Sequence, residues 1–306
     1  MNFSDRLAAA VQRTRAPVLV GLDPRFEQLP AGLRTGIEPA NRTAVAGSYV
    51  SFCRGVIDAV AGLVPAVKPQ AAFFEQLGPA GMVALAEVID HAHRTGLIVV
   101  LDGKRNDIGS TAEAYADAYL GPPGVSPWGA DALTVSPYLG DDSLTPFVET
   151  AAKRKAGIFV LVKTSNPGGG RFQDLVADGR PLYQHVASLV EQYALETKGD
   201  CGYGSIGAVV GATYAEQLTE LRAKMPTSWF LVPGYGAQGA GAKDVAGAFD
   251  SAGLGGVVNN SRGLIFAHAR APFSERFGAA RWQEAVAAAT SEMIAELQAE
   301  TTAGRL

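Results

Sequence analysis

Cysteine and histidine are scarce in this chain. Its 306 residues include two cysteines, Cys53 and Cys201, and four histidines, His91, His93, His185 and His268. Two isolated cysteines provide neither a disulfide framework nor zinc-ligand spacing, and the sequence contains no HExxH pair. Cys53 lies in an apolar helical pattern and reads as a buried, inert thiol. His91 and His93 lie in another helical pattern and read as solvated side chains, so no metal site is expected. Charge is sparse as well: 18% of residues are charged against 47% hydrophobic, the balance of a globular core and not of a disordered chain. The net charge of −4 and pI of about 5.6 exclude a generally nucleic-acid-binding surface, while leaving room for a local basic pocket. No segment approaches the ~18–20 uninterrupted apolar residues of a membrane span. The opening MNFSDRLAAAVQRTRAP carries Asp5 and Arg6 ahead of a short apolar stretch and shows no cleavage site. It is expected to form an amphipathic helix with Ser4 as N-cap, not a signal peptide. These features predict a soluble, cytoplasmic protein without nucleic-acid or membrane partners.

Short apolar, β-branched runs are plentiful. PVLVGLD (17–23), PAVKPQ (65–70), LIVVLD (97–102), ALTVSP (132–137), GIFVLVKTS (157–165), IGAVVGAT (206–213), WFLVPG (229–234) and GVVNN (256–260) follow one another along the chain. They show little polar alternation, as expected of strands covered on both faces. Helical spacing fills the gaps: Val45, Tyr49, Phe52, Val56 and Val60; Met82, Leu85, Val88 and Ile89; Tyr214, Leu218 and Leu221; Trp282, Val286, Met293 and Leu297. Eight strands alternating with helices predict a (β/α)8 TIM barrel with N- and C-terminal helical extensions. A doubly wound open sheet is the competing architecture, because alternation alone does not close a barrel. No linker divides the sequence, so residues 1–306 are read as a single domain. The glycine-rich stretch within 164–205, which also holds a helix pattern over Leu182, Val186, Leu189, Val190 and Tyr193, reads equally as a loop over one barrel end or as a surface insertion.

Polar residues gather where these runs end. Asp23 closes the first, Lys68 the second, and Asp102 with Lys104 the third; KTSNP, PGYGAQGAG and NNSRG close the fifth, seventh and eighth. Active sites of barrels sit at the C-terminal strand ends. Residues i and i+2 of a strand share a face, so Asp102 and Lys104 point the same way if the strand persists that far. The plain alternative is an ion pair closing a strand, with Asp107 or Ser110 capping the next helix, which begins near Gly109 to Thr111. Lys68 and Asp23 at neighbouring ends favour the functional reading, because an alternating Lys/Asp array is costly to hold unless it acts on something charged. In VPGYGAQGAGAKDV (232–245) the glycines at 234, 236, 239 and 241 let backbone approach an anion, and a helix from about Ala242 would present free N–H groups. Arg262 follows in the next turn. Loops after strands seven and eight are the usual phosphate site of this fold; the alternative is a tight turn plus a surface arginine.

Taken together, VGLDPR, VKPQAAFFE, DGKRNDIGSTA, PGYGAQG and NNSRG resemble the orotidine 5′-phosphate decarboxylases, in particular their longer bacterial subfamily. The resemblance runs from about residue 17 to residue 266, with the motifs in the same order; residues 170–205 carry none of them. It implies a cofactor-independent carboxy-lyase of pyrimidine biosynthesis that converts orotidine 5′-phosphate to uridine 5′-phosphate. By resemblance, Lys104 stabilises negative charge developing at C6 of the pyrimidine and then protonates it. Asp102 and Asp107 flank the substrate carboxylate, Asp107 reaching in from the second subunit of a homodimer with shared active sites. Lys68 orients Asp102 and contacts ribose, Asp23 binds a ribose hydroxyl, and Thr111 lies near the same sugar across the dimer, unless it caps its helix. Ser165 fits the pyrimidine-binding serine, although Asn166 after it departs from the family's usual residue and Thr164 is the alternative hydroxyl. Gln238 and Arg262 clamp the phosphate against the loop that contains Gly236.

Two other readings compete. Sugar-phosphate decarboxylases that work through a Mg2+-bound enediolate share a DxKxxD strand, but they carry an acidic ligand where this chain has Lys68. A phosphate-sensing barrel that binds without turnover would need Arg262 but not Lys104.

Overall fold

The computed structural model describes residues 1–236 and 239–306. Its strands are β1 (Val18–Leu22), β2 (Ala66–Pro69), β3 (Ile98–Arg105), β4 (Ala132–Val135), β5 (Gly157–Lys163), β6 (Val176–Ala177), β7 (Arg180–Pro181), β8 (Ile206–Val210), β9 (Phe230–Val232) and β10 (Gly256–Asn260). Eight of them close into a barrel in the order β1-β10-β9-β8-β5-β4-β3-β2, and every pairing within it is parallel. This closure excludes the doubly wound sheet. The eight apolar runs of the sequence are these eight strands, and helices follow each in turn, as in a (β/α)8 barrel.

Both faces of the strands are apolar because each faces a different core. Val18, Val20 and Leu22, Val99 and Leu101, and Ile158, Val160 and Val162 turn outward against the helices. Their alternates Leu19, Ala66, Val100, Ala132, Phe159, Val209, Leu231 and Val257 fill the barrel interior. The N-terminal helix Phe3–Thr14 closes the lower end by adding Phe3, Leu7 and Val11 to that interior core. Phe3 meets Phe159 edge-on at 6.0 Å between ring centroids. Its cap is Asn2, whose side chain accepts from the Asp5 N–H at 2.9 Å. The predicted cap, Ser4, instead donates its hydroxyl to Asn2 Oδ1. The C-terminal helix Trp282–Glu300 packs on helix Arg42–Val60, where the Phe52 ring meets those of Trp282 and Phe266 at 5.2 Å and 5.5 Å between centroids.

Segment 164–205 joins β5 to β8. It forms a short helix Gly170–Gln173, the antiparallel pair β6–β7, and the helix Leu182–Glu196 that packs on β5 and β8. Its first part is fastened back to the barrel. Lys163, fully buried at the end of β5, is ion-paired with Asp174 and lies over the rings of Tyr183 and Tyr214, 5.2 Å and 4.8 Å from their centroids. No helix among the described residues is long and apolar enough to cross a membrane. Cys53 is fully buried, and burial first, then Asp23, pushes its thiol pKa up. His91 and His93 are partly exposed and each has a partner: His91 meets Asp58 and His93 meets the Gly129 carbonyl, each at 2.7 Å.

Candidate active site

The inward parity of the strands carries past the apolar core into a polar layer at the C-terminal end. Four strands show this: Leu19 and Gly21 on β1 with Asp23 just past it; Ala66 and Lys68 on β2 with Gln70 just past it; Val100, Asp102 and Lys104 on β3; Val257 and Asn259 on β10 with Ser261 just past it. Above the core lies a cavity of about 530 Å³ lined by these polar residues, with Thr134, Thr164, Ser165, Tyr235 and Arg262. That volume suits a nucleotide-sized ligand.

The end of β3 is irregular where the charge is densest. Leu101 pairs with Leu133 and Arg105 with Val135, so three residues of β3 lie opposite the single Thr134 of β4. Lys104 absorbs the excess with a left-handed backbone, φ 45°, a conformation that disfavours any side chain but glycine's. It is held there because its N–H donates to Thr134 Oγ1 at 2.9 Å. Arg105 leaves on the outer side, bound to Glu75, the Gly103 carbonyl and the Tyr119 hydroxyl, which anchors the strand end.

Asp102 is the hub of the array. Its Oδ1 accepts from Lys104 Nζ at 2.6 Å and Thr134 Oγ1 at 2.9 Å; its Oδ2 accepts from Lys68 Nζ at 2.7 Å and Gln70 Nε2 at 2.9 Å. Four donors use the full accepting capacity of a carboxylate. Burial opposes the charge on Asp102, but Lys68 and Lys104 beside it win, holding its pKa far below the usual carboxylate range. For Lys68 burial pulls down, whereas Asp102 and then Asp23 raise, and the net shift is upward. Both groups are therefore charged at neutral pH. The two lysines differ in access: the Lys68 side chain is 5% exposed and that of Lys104 47% exposed.

Asp23, Lys68, Asp102, Lys104, Thr164, Ser165 and Arg262 thus come together on one cavity. Asp107 and Thr111 do not. Asp107 Oδ1 accepts from the N–H of Ile108, and Thr111 is exposed on the first turn of helix Gly109–Tyr119. The N-cap of that helix is Ile108, so neither Asp107, Ser110 nor Thr111 occupies the capping position. Gly236, at φ 70°, lines an adjoining cavity of about 930 Å³ that shares Tyr235, Asn260 and Arg262 with the first. Gln238 lies outside the described residues. The helix after this loop is Ala242–Val245, and its leading N–H, on Gly241, is taken by Asp244 Oδ2 at 2.7 Å instead of being free for an anion. Thr164 is engaged with Asn166 and Gln173, whereas Ser165 Oγ has no hydrogen bond to a described residue.

Gln70, Thr134, Asn259 and Ser261 also line the cavity; they are uncharged, and their only signal in the sequence is inward parity at a strand end.

Residues 40–271, well over half of the chain, match the orotidine 5′-phosphate decarboxylase / HUMPS family. The orotidine 5′-phosphate decarboxylase of Rhodopirellula baltica is 61% identical over 97% of this chain and 99% of its own length. The chain belongs to the orotidine 5′-phosphate decarboxylase family. A second orotidine 5′-phosphate decarboxylase, from Caldicellulosiruptor bescii, is 39% identical over 88% of this chain and 90% of its own. Among solved structures, Leishmania donovani OMP decarboxylase superposes with a TM-score of 0.75 at 35% identity, covering 98% of both chains. Membership of this decarboxylase family, at high identity over nearly the whole chain, makes the protein a carboxy-lyase.

Proposed function

We propose that the cavity decarboxylates orotidine 5′-phosphate to uridine 5′-phosphate with Lys104 as its acid. The observation that carries this reading is the asymmetry of the two lysines on Asp102: Lys68 is buried and fixed, while Lys104 presents its ammonium to the cavity. The bond from C6 to the carboxylate carbon breaks heterolytically, CO2 leaves, and the electron pair stays at C6. Lys104 faces that pair as a preorganised cation and transfers one proton to C6; its amine regains a proton from solvent. A lysine can make this transfer and an arginine effectively cannot. Because the electrons never leave C6 before the proton arrives, the step calls for no metal or redox cofactor. Fixed charge aimed at developing charge is usually the largest catalytic contribution.

The carboxylates act on the ground state. Two like charges about 4 Å apart repel by ~4 kcal/mol at an effective dielectric near 20. If that repulsion is relieved as CO2 leaves, it supplies roughly three powers of ten in rate. The main role of Asp102 is to keep Lys104 charged and aimed. Asp23 and Lys68 bind the ribose, Ser165 the pyrimidine, and Arg262 with Gln238 and the Gly236 loop the phosphate. The free hydroxyl of Ser165, against the engaged one of Thr164, supports the choice between them.

Asp107 and Thr111 serve the site of a second subunit in a homodimer. Supporting this, Ile108, which follows Asp107 in the chain, and Tyr138 after β4 present large apolar groups, 54% and 79% exposed. Residues 1–306 act as one domain in the cytoplasm, with both terminal helices packed on the barrel. Mixing Asp107→Ala and Lys104→Ala proteins tests the sharing. Mixed dimers regain activity because one of their two sites is intact; no recovery under verified subunit exchange contradicts it. The reaction itself is followed by loss of orotate absorbance, which a metal chelator should leave unchanged.

A further inference from the structure

Three buried polar atoms at the seam between β1 and β10 have no hydrogen-bond partner among the described residues: Asp23 Oδ1, Asn259 Oδ1 and Ser261 Oγ. Buried polar groups are ordinarily hydrogen-bonded. All three residues line the 530 Å³ cavity, and no other unpartnered buried atom among the described residues does. They are there for a local reason. Leu19 pairs with Asn259 across the seam, and the next inward position on β1 is Gly21. A Cβ at Gly21 would stand 2.7 Å from Ser261 Cβ and 3.1 Å from Asn259 Oδ1, so the missing side chain is the space these two occupy. Asn260, between them, is engaged within the protein: its Oδ1 accepts from the Gly263 N–H and its Nδ2 meets Met293 Sδ.

We infer that Asn259 and Ser261 are further binding residues for the ribose-phosphate end of the substrate, an inference that rests on the function proposed above. Ser261 precedes Arg262, the cation of the phosphate end, and its hydroxyl donates to a phosphate oxygen. The Asn259 amide, facing the same space as the Asp23 carboxylate, binds a ribose hydroxyl next to the one Asp23 accepts. The ligand supplies the partners that these three atoms lack among the described residues. It therefore reads both the sugar and its 5′-phosphate.

The test compares uridine 5′-phosphate with uridine by calorimetry on wild type, Ser261→Ala and Asn259→Leu, with Asn259→Ala as the alternative should the leucine variant fold poorly. Ser261→Ala is expected to weaken uridine 5′-phosphate about tenfold and leave uridine unchanged, the loss of one hydrogen bond to a charged group. The Asn259 variants weaken both ligands by a similar factor. Thermal stability is unchanged or raised, since no partner is lost in the free protein; a purely structural role would lower it. Wild-type affinity in either variant, an equal loss of both ligands in Ser261→Ala, or a fall in melting temperature without change in affinity overturns the inference. Turnover of orotidine 5′-phosphate by the wild type is measured alongside. Its absence would count against the proposed function, whereas its presence with unaltered variants would count against Asn259 and Ser261 alone.

Discussion

Replacing Asp102 by asparagine keeps the shape of the hub and removes its charge. One oxygen, now an NH2 group, would face two donors, and two ammonium groups would lose their counter-ion, one of them only 5% exposed. Removing one member of a buried ion pair costs about 3–5 kcal/mol, a large part of the ~5–15 kcal/mol by which a folded domain is stable. The melting temperature of Asp102→Asn should therefore fall by on the order of 10 °C. The effect carries a pH signature. Lys68 has a raised pKa when folded, so its contribution is fully present below the ordinary lysine value of about 10.4 and is lost as pH rises through the raised one. Asp102 has a lowered pKa, so its contribution is fully present above about 3.9 and is lost as pH falls through the lowered value. The stability gap between wild type and variant should thus be widest across the neutral range and narrow at both extremes. Thermal unfolding followed by circular dichroism over that span reads it out. A variant that melts with the wild type at neutral pH, or a gap that does not depend on pH, would refute the reasoning.

Two further outcomes follow from packing. Phe3→Ala opens the lower end of the barrel against Phe159 and should cost about 3–5 kcal/mol, seen as a lower denaturant midpoint with an unchanged KM, because the site lies at the opposite end. At the latch of segment 164–205, Asp174→Ala should destabilise more than Lys163→Met: the first strands a fully buried ammonium, while the second leaves a half-exposed carboxylate that water can solvate. The reverse order in thermal unfolding would contradict the assignment of Lys163 as a buried, Asp174-dependent cation.

Much of this was legible in the chain because hydrophobicity and strand parity act locally. The eight barrel strands are the eight apolar runs, and the inward parity that placed Asp102 beside Lys104 held, although through a left-handed Lys104 and a three-against-one mismatch with β4 that no spacing rule anticipates. The same parity marks Gln70, Asn259 and Ser261, but uncharged residues at strand ends do not stand out from turns. The pair β6–β7 escaped notice because strands of two residues, largely exposed, carry no apolar pattern. The partners of His91 and His93, Asp58 and the Gly129 carbonyl, are brought in only by tertiary packing, which helical spacing does not show. Asp107 and Thr111 lie off the cavity of their own chain, so their place in a shared site is a question of assembly that a single chain does not hold.

In the proposed mechanism Lys104 performs the chemistry and does not merely bind. Lys104→Ala should be measured for both, uridine 5′-phosphate affinity by calorimetry and single-turnover loss of orotate absorbance by ultraviolet spectroscopy. Affinity should stay within a few-fold of wild type and turnover should fall by at least about a thousandfold. Turnover within about tenfold of wild type by the well-folded variant would contradict it.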